Sequence, residues 1–181
     1  FHALRNNKDN KIESWDLSYQ GINAEIAKAL AEYISGSAVL TECNLLRNAF
    51  DADMANMLAR IGQEKRIMLS GIKHNQAEAD LSQEGLGPVD AILIASDLRV
   101  TAVLNKIVLT DNKIKDEGAI ALGKALKINK SLKELDLAGC EIGPDGGKAL
   151  AAALSEGMAV LTHLDLSSNK LTNYGRDMSV I

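Results

Sequence analysis

Residues 161–171 read "LTHLDLSSNKL", with leucine at 161, 164, 166 and 171. That spacing fits neither the 3.6-residue period of a helix nor the two-residue period of a strand over its whole length. It recurs, however. With Leu161 as position 1, positions 4, 6 and 11 are leucine and position 9 is Asn169. Working backwards, the same frame holds Leu132, Leu135, Leu137, Cys140 and Ile142, then Leu104, Ile107, Leu109, Asn112 and Ile114. Nearer the start it holds Leu40, Cys43, Leu45, Asn48 and Phe50, and before that Ile12, Trp15, Leu17, Gln20 and Ile22. A degraded copy begins at Gln76 and holds Ala79, Leu81, Glu84 and Leu86.

The starts at 12, 40, 76, 104, 132 and 161 lie 28, 36, 28, 28 and 29 residues apart. A fixed period of this length marks a stacked array in which each unit buries its apolar face only against its neighbours. The pattern, with Asn or Cys at position 9, resembles the leucine-rich repeat, specifically its ribonuclease-inhibitor-like class. Gln76, Ala79 and Glu84 in the third copy, and Gln20 in the first, depart from it.

Positions 4 and 6 alternate as in a short strand, so their side chains share one face. At position 9 the chain turns, and an Asn side chain there can bond backbone of adjacent turns that the strand ladder leaves over. Gln20 and Glu84 are poorer substitutes, which predicts looser turns. Positions 16, 19, 20 and 23 give Ala27/Leu30/Ala31/Ile34, Ala55/Leu58/Ala59/Gly62, Ala91/Ile94/Ala95/Leu98, Ala119/Leu122/Gly123/Leu126 and Gly147/Leu150/Ala151/Leu154. This is the stripe of an amphipathic helix, and the small residues at 16 and 20 allow close approach. Pro88 and Pro144 stand where a helix would begin.

A strand then a helix, repeated in one sheet, requires parallel strands and right-handed crossovers. The expected fold is therefore α/β: a right-handed β-α solenoid. Strands are expected near 15–17, 43–45, 79–81, 107–109, 135–137 and 164–166, and helices near 24–35, 52–62, 88–99, 116–127 and 145–155. The whole chain, 1–181, reads as a single domain of repeats 12–39, 40–75, 76–103, 104–131, 132–160 and 161–181. Residues 1–11 read as the end of a preceding helix or an N-terminal flank. The 161–181 copy stops short of a full helix, and Arg176 stands where the others have Ala or Gly. Neither end reads as a finished cap, so the natural chain is expected to continue or to be covered by another protein.

A chain of 181 residues can bury roughly 70% of its unfolded surface. Aromatics are only 3%, so the core must be aliphatic. The net charge of −4 argues against nucleic acid as the main partner. No stretch of about 18 apolar residues free of charge is present, so membrane insertion is not expected. Cys43 and Cys140 make neither a disulfide framework nor a metal site, which favours a reducing, intracellular compartment. His2, His74 and His163 lack ligand spacing, "GPDGG" at 143–147 lacks the Lys-Ser/Thr of a phosphate loop, and no cofactor is expected.

The resemblance implies strands on the concave face and helices on the convex one. Position 5 then turns Asp16, Asn44, Asp80, Val108, Asp136 and Asp165 into the concavity, and position 3 turns Ser14, Glu42, Glu78, Lys106, Glu134 and His163 there. Seven carboxylates stand against one lysine, which suits a partner protein with a basic surface. The bland reading is that these acids only keep the face wet.

The extra residues of the second repeat fall in "EKRIMLSGIKHN", 64–75. Ile67, Leu69 and Ile72 either pack back onto the neighbouring repeats or form a docking edge. The chain therefore reads as a non-catalytic interaction or scaffold module, or a subunit of a larger assembly. The alternative is a regulator of an enzyme, such as a GTPase activator, with Arg47 at concave position 8 as its lever.

Overall fold

The computed structural model describes residues 12–156 and 160–172. The N-terminal flank, Arg176 and the ends of the chain lie outside the described residues. Among the described residues six three-residue strands alternate with five helices: β1 Ser14–Asp16, α1 Ala24–Gly36, β2 Glu42–Asn44, α2 Ala52–Lys65, β3 Glu78–Asp80, α3 Pro88–Val100, β4 Lys106–Val108, α4 Lys115–Leu126, β5 Glu134–Asp136, α5 Pro144–Ser155 and β6 His163–Asp165. Every paired strand is parallel to its neighbour. The strands begin one residue before the expected segments. Their ladders still reach the leucine at position 6, because Leu17, Leu81, Leu109 and Leu137 each donate their backbone N–H to the next strand.

Sequence accounts for most of this locally. Asn23 and Asp51 cap α1 and α2, accepting from Ile26 and Met54 backbone N–H. Pro88 and Pro144 open α3 and α5, where a missing N–H costs nothing. The small residues on the inner helix faces set the layer spacing. A Cβ on Gly123, for example, would stand 3.0 Å from the Ala149 carbonyl oxygen of the next helix. Between strands and helices runs one continuous aliphatic core, with Leu45, Leu58, Leu86, Ile94, Leu109, Leu122 and Leu137 all essentially inaccessible to solvent.

The position-9 ladder forms as the spacing predicts. Asn112 Nδ2 donates to the Leu81 and Leu109 carbonyls, both at 2.8 Å, and its Oδ1 accepts from Leu86 N–H. Asn48 and Asn169 repeat the arrangement. Cys140 takes the same place, its Sγ donating to the Leu109 carbonyl at 3.1 Å. Burial pushes its thiol up to about 11 and that of Cys43 up to about 12, so both sit in the core as thiols. Exposed Gln20 bonds within its own turn, its Nε2 reaching the Ser18 carbonyl.

One feature departs from a single stack. The strands form two sheets, β1-β2 and β3-β4-β5-β6, and β2 does not pair with β3. The insertion stands in the missing place. Cys43 and Leu45 N–H donate to the Met68 and Leu69 carbonyls, and Met68 N–H donates to Thr41, so residues 67–69 lie along β2 as the next strand would. Ile67, Met68, Leu69 and Ile72 are buried, which selects the packing alternative for the insertion over the docking edge.

The helices are not interrupted at this boundary. Ser96 Oγ of α3 bonds the Ala59 carbonyl of α2 at 3.0 Å. The array therefore stays continuous on its helical side and forks on its strand side.

Candidate functional site: the strand face and its break

Registry decides which of the expected site residues come together. In the four-stranded sheet Glu78, Lys106, Glu134 and His163 are aligned across the strands, and so are Asp80, Val108, Asp136 and Asp165. Glu78, Asp80, Glu134, Asp136 and Asp165 thus form one acidic field around Lys106. Its Nζ pairs with Glu134 Oε2 at 3.2 Å. The bond to Glu134 and that carboxylate's charge, joined by Glu78 and Asp136, hold the ammonium above its ordinary value. Asp16 and Glu42 belong to the other sheet, where Ser14 Oγ donates to Glu42. The break divides the seven carboxylates into a group of five and a group of two.

The aspartates also have a local task. Asp16 Oδ1 accepts from Ser18 N–H and Oγ, and Asp80 Oδ1 accepts from both groups of Ser82 in the same way. Asp136 and Asp165 accept from Ala138 and Ser167 N–H, and Asn44 does this with its amide oxygen. Each closes the tight turn that leaves its strand. The serine bonds hold the carboxyls of Asp16, Asp80 and Asp165 below the usual range. Among the described residues the carboxylates of Glu78 and Glu134 close no turn; Glu134 pairs only with Lys106 on the neighbouring strand.

Arg47 is engaged inside the molecule. Its guanidinium pairs with Glu84 and lies over the Tyr19 ring, 5.3 Å from the centroid. A lever arginine must be free to reach a nucleotide, and this one bridges the second and third repeats. Arg47 N–H would meet the position-7 carbonyl of the next repeat, as Tyr19 N–H meets Leu46 and Gln83 N–H meets Thr110. It donates instead to Asp90 Oδ1 at 2.6 Å, while Asp90 Oδ2 takes Gly87 N–H. Asp90 and the Arg47–Glu84 pair stand in for the missing asparagine.

Between the two sheets lies a cleft of about 230 Å³, lined on one side by Ser70, Gly71 and Ile72 and on the other by Ala79, Asp80 and Leu81. Asp97 of α3, buried behind it, was not singled out by spacing. It accepts from Leu69 N–H, Ser70 N–H and Ser70 Oγ. Burial pushes its carboxyl up to about 7 against the pull of those bonds. Among the described residues no group of three or more His, Cys, Asp or Glu side chains could hold a metal ion, and no helix is long and apolar enough to cross a membrane.

Comparison with known proteins agrees with this architecture. The Leucine Rich repeat family profile matches residues 103–123, 129–151 and 158–177. The chain carries leucine-rich repeats. It is 32% identical over 117 residues to NACHT, LRR and PYD domains-containing protein 5 of Homo sapiens, covering 62% of this chain and 10% of that protein. Protein 14 of the same name series, from Mus musculus, is 27% identical over 166 residues, covering 91% of this chain and 16% of the relative. Capping protein, Arp2/3 and myosin-I linker protein 3 of Rattus norvegicus is 27% identical over 144 residues, covering 66% and 10%. The chain thus spans no more than 16% of the length of any of these three relatives.

Proposed function

We propose that the chain is a non-catalytic protein-binding module of the ribonuclease-inhibitor-like class, and that its four-stranded face holds a basic surface of a partner protein. The class rests on the 28-residue period and on a full helix in each of the first five repeats. The binding surface rests on one observation: Glu78, Asp80, Glu134, Asp136 and Asp165 stand in register on neighbouring strands. Strands in register hold these charges fixed, so the field is organised before a partner arrives. The name of the linker protein describes a protein that connects others, which accords with a scaffold or subunit role for this chain. The repeat units 12–39 to 161–181 are on this reading the modules of one binding array.

The test immobilises the wild-type chain and asks which protein of its source cell it retains. Glu78→Lys with Glu134→Lys should release that protein, because these side chains carry charge without closing a turn. Glu117→Lys, on the exposed side of α4, should retain it. Release by the helix variant and not by the strand variants would move the site off the strand face.

A further inference from the structure

The fork in the strand layer leaves two backbone edges facing one cleft, and they differ. On the β2 side, the outer edge of residues 67–70 is closed, because Ile67 N–H donates to Gly62 and Leu69 and Ser70 N–H donate to Asp97. On the other side, β3 bonds β4 through its odd-numbered residues. Lys106 N–H meets the Ala77 carbonyl and Leu81 N–H meets the Val108 carbonyl. Backbone groups alternate sides along a strand, so the N–H and C=O of Glu78 and Asp80 turn toward the break. There, among the described residues, only Gln76 reaches them, its Nε2 taking the Glu78 carbonyl at 2.8 Å.

We propose that this break is a strand-addition site, in which the free edge of β3 takes an extended segment of a partner protein carrying basic side chains. Main-chain bonds to an open sheet edge give such a segment its affinity, and alternate side chains give it selectivity. Beside the cleft of about 230 Å³ the open edge of β3 runs for three residues, about 10 Å of extended chain. The charges beside the edge choose the occupant. Exposed Glu78 and Asp80 flank it and repel a second acidic edge, which also guards against pairing with another copy of this chain. A lysine or arginine at alternate positions would lie beside them. The charge of the occupant rests on the reading of the carboxylate face above; the backbone pairing does not.

The probe is a blocked five-residue peptide alternating lysine and valine, titrated into the whole chain while amide hydrogen exchange is followed residue by residue. Strand addition should slow exchange at Glu78 and Asp80 by about tenfold or more at saturation. Ala79 and Leu81, already facing β4, should be unchanged. Methylating the peptide nitrogens of one alternate set should weaken binding by about tenfold without altering its charge, while the other set should tolerate it.

Failure to bind, or binding that leaves Glu78 and Asp80 exchanging as before, or tolerance of both methylated peptides, overturns the site. Salt-sensitive binding without protection at these two amides keeps the carboxylate face and discards strand addition. Alternating protection that ignores salt keeps strand addition and discards the charge reading.

Discussion

Asp97 holds Ser70 twice, accepting its backbone N–H at 2.8 Å and its hydroxyl at 2.5 Å, with both residues buried. This clasp joins α3 to the segment that replaces a strand. Removing it should show in pH dependence before it shows in shape. Burial raises the folded carboxyl to about 7 from an ordinary 3.8, so between those values the folded chain binds more protons than the unfolded one. Stability from this group is fully present below about pH 4 and is lost as pH rises through 7, on the order of 1–4 kcal/mol. Asp16, Asp80 and Asp165, with lowered values, act in the opposite sense and lose stability as pH falls. Urea melts of wild type and Asp97→Asn isolate the one group. The stability advantage of wild type should shrink between pH 4 and pH 8, and an advantage that grows over that interval would contradict the raised value.

The ladder gives a graded series at one kind of position. Asn112 is 2% exposed and satisfies Leu81, Leu109 and Leu86 backbone groups. Asn112→Ala leaves the Leu81 carbonyl and the Leu86 N–H without this partner, while the Leu109 carbonyl keeps only the Cys140 thiol, which should cost about 2–4 kcal/mol. Asn112→Cys should cost less, because Cys140 already fills the corresponding place with a hydrogen-bonding thiol. Equal losses in urea would mean that the amide does not carry the turn.

The turn aspartates separate charge from hydrogen bonding. Asp136→Asn keeps an oxygen for Ala138 N–H, as Asn44 does for Leu46, and should be nearly neutral for folding. Asp136→Ala removes the acceptor and should cost about 0.5–1.5 kcal/mol. If both variants lose the same stability, the charge, not the bond, holds this turn.

Leu109→Ala deletes a side chain with no solvent exposure in a central repeat, between β4 and its turn. The expected loss is about 2–5 kcal/mol, the range for a cavity left in a close-packed core. Chemical denaturation measures it directly, and a change under 1 kcal/mol would place Leu109 outside the core.

The repeating parts of this architecture were legible because they follow from local periodicity. Leu135 and Leu137, Asn112, Pro88 and the Ala91/Ile94/Ala95/Leu98 stripe each announce an element without reference to anything distant. The fork was not legible, because it depends on which backbone edge Met68 reaches, and that is a tertiary choice. A signal was nevertheless present in "PVDAILIASDL", residues 88–98, whose apolar side chains spread around the helix and flank Asp90 and Asp97 with Leu93 and Ile94. A helix apolar all round must be covered on more than one side. Asp97 within that run is buried by the same covering, with Leu69 and Ser70 as its partners.

The site was legible in part. Columns of Asp and Glu follow from counting positions, yet counting could not show that Asp80 and Asp165 close their own turns. Nor could it show that β2 and β3 part and divide the field. Arg47 looked free because its partner, Glu84, stands 37 residues later in a degraded copy.

The most direct measurement is the association rate of the chain with the protein it retains, taken across a salt series for wild type and for Glu78→Lys with Glu134→Lys. A basic surface meeting the strand face should associate more slowly as salt rises, since exposed charges are screened within about 8 Å at physiological ionic strength. The double reversal should lower the rate about tenfold or more at low salt and flatten its salt dependence. Rates that are equal for the two proteins, with the same slope against salt, would contradict the assignment of the carboxylate face as the binding surface.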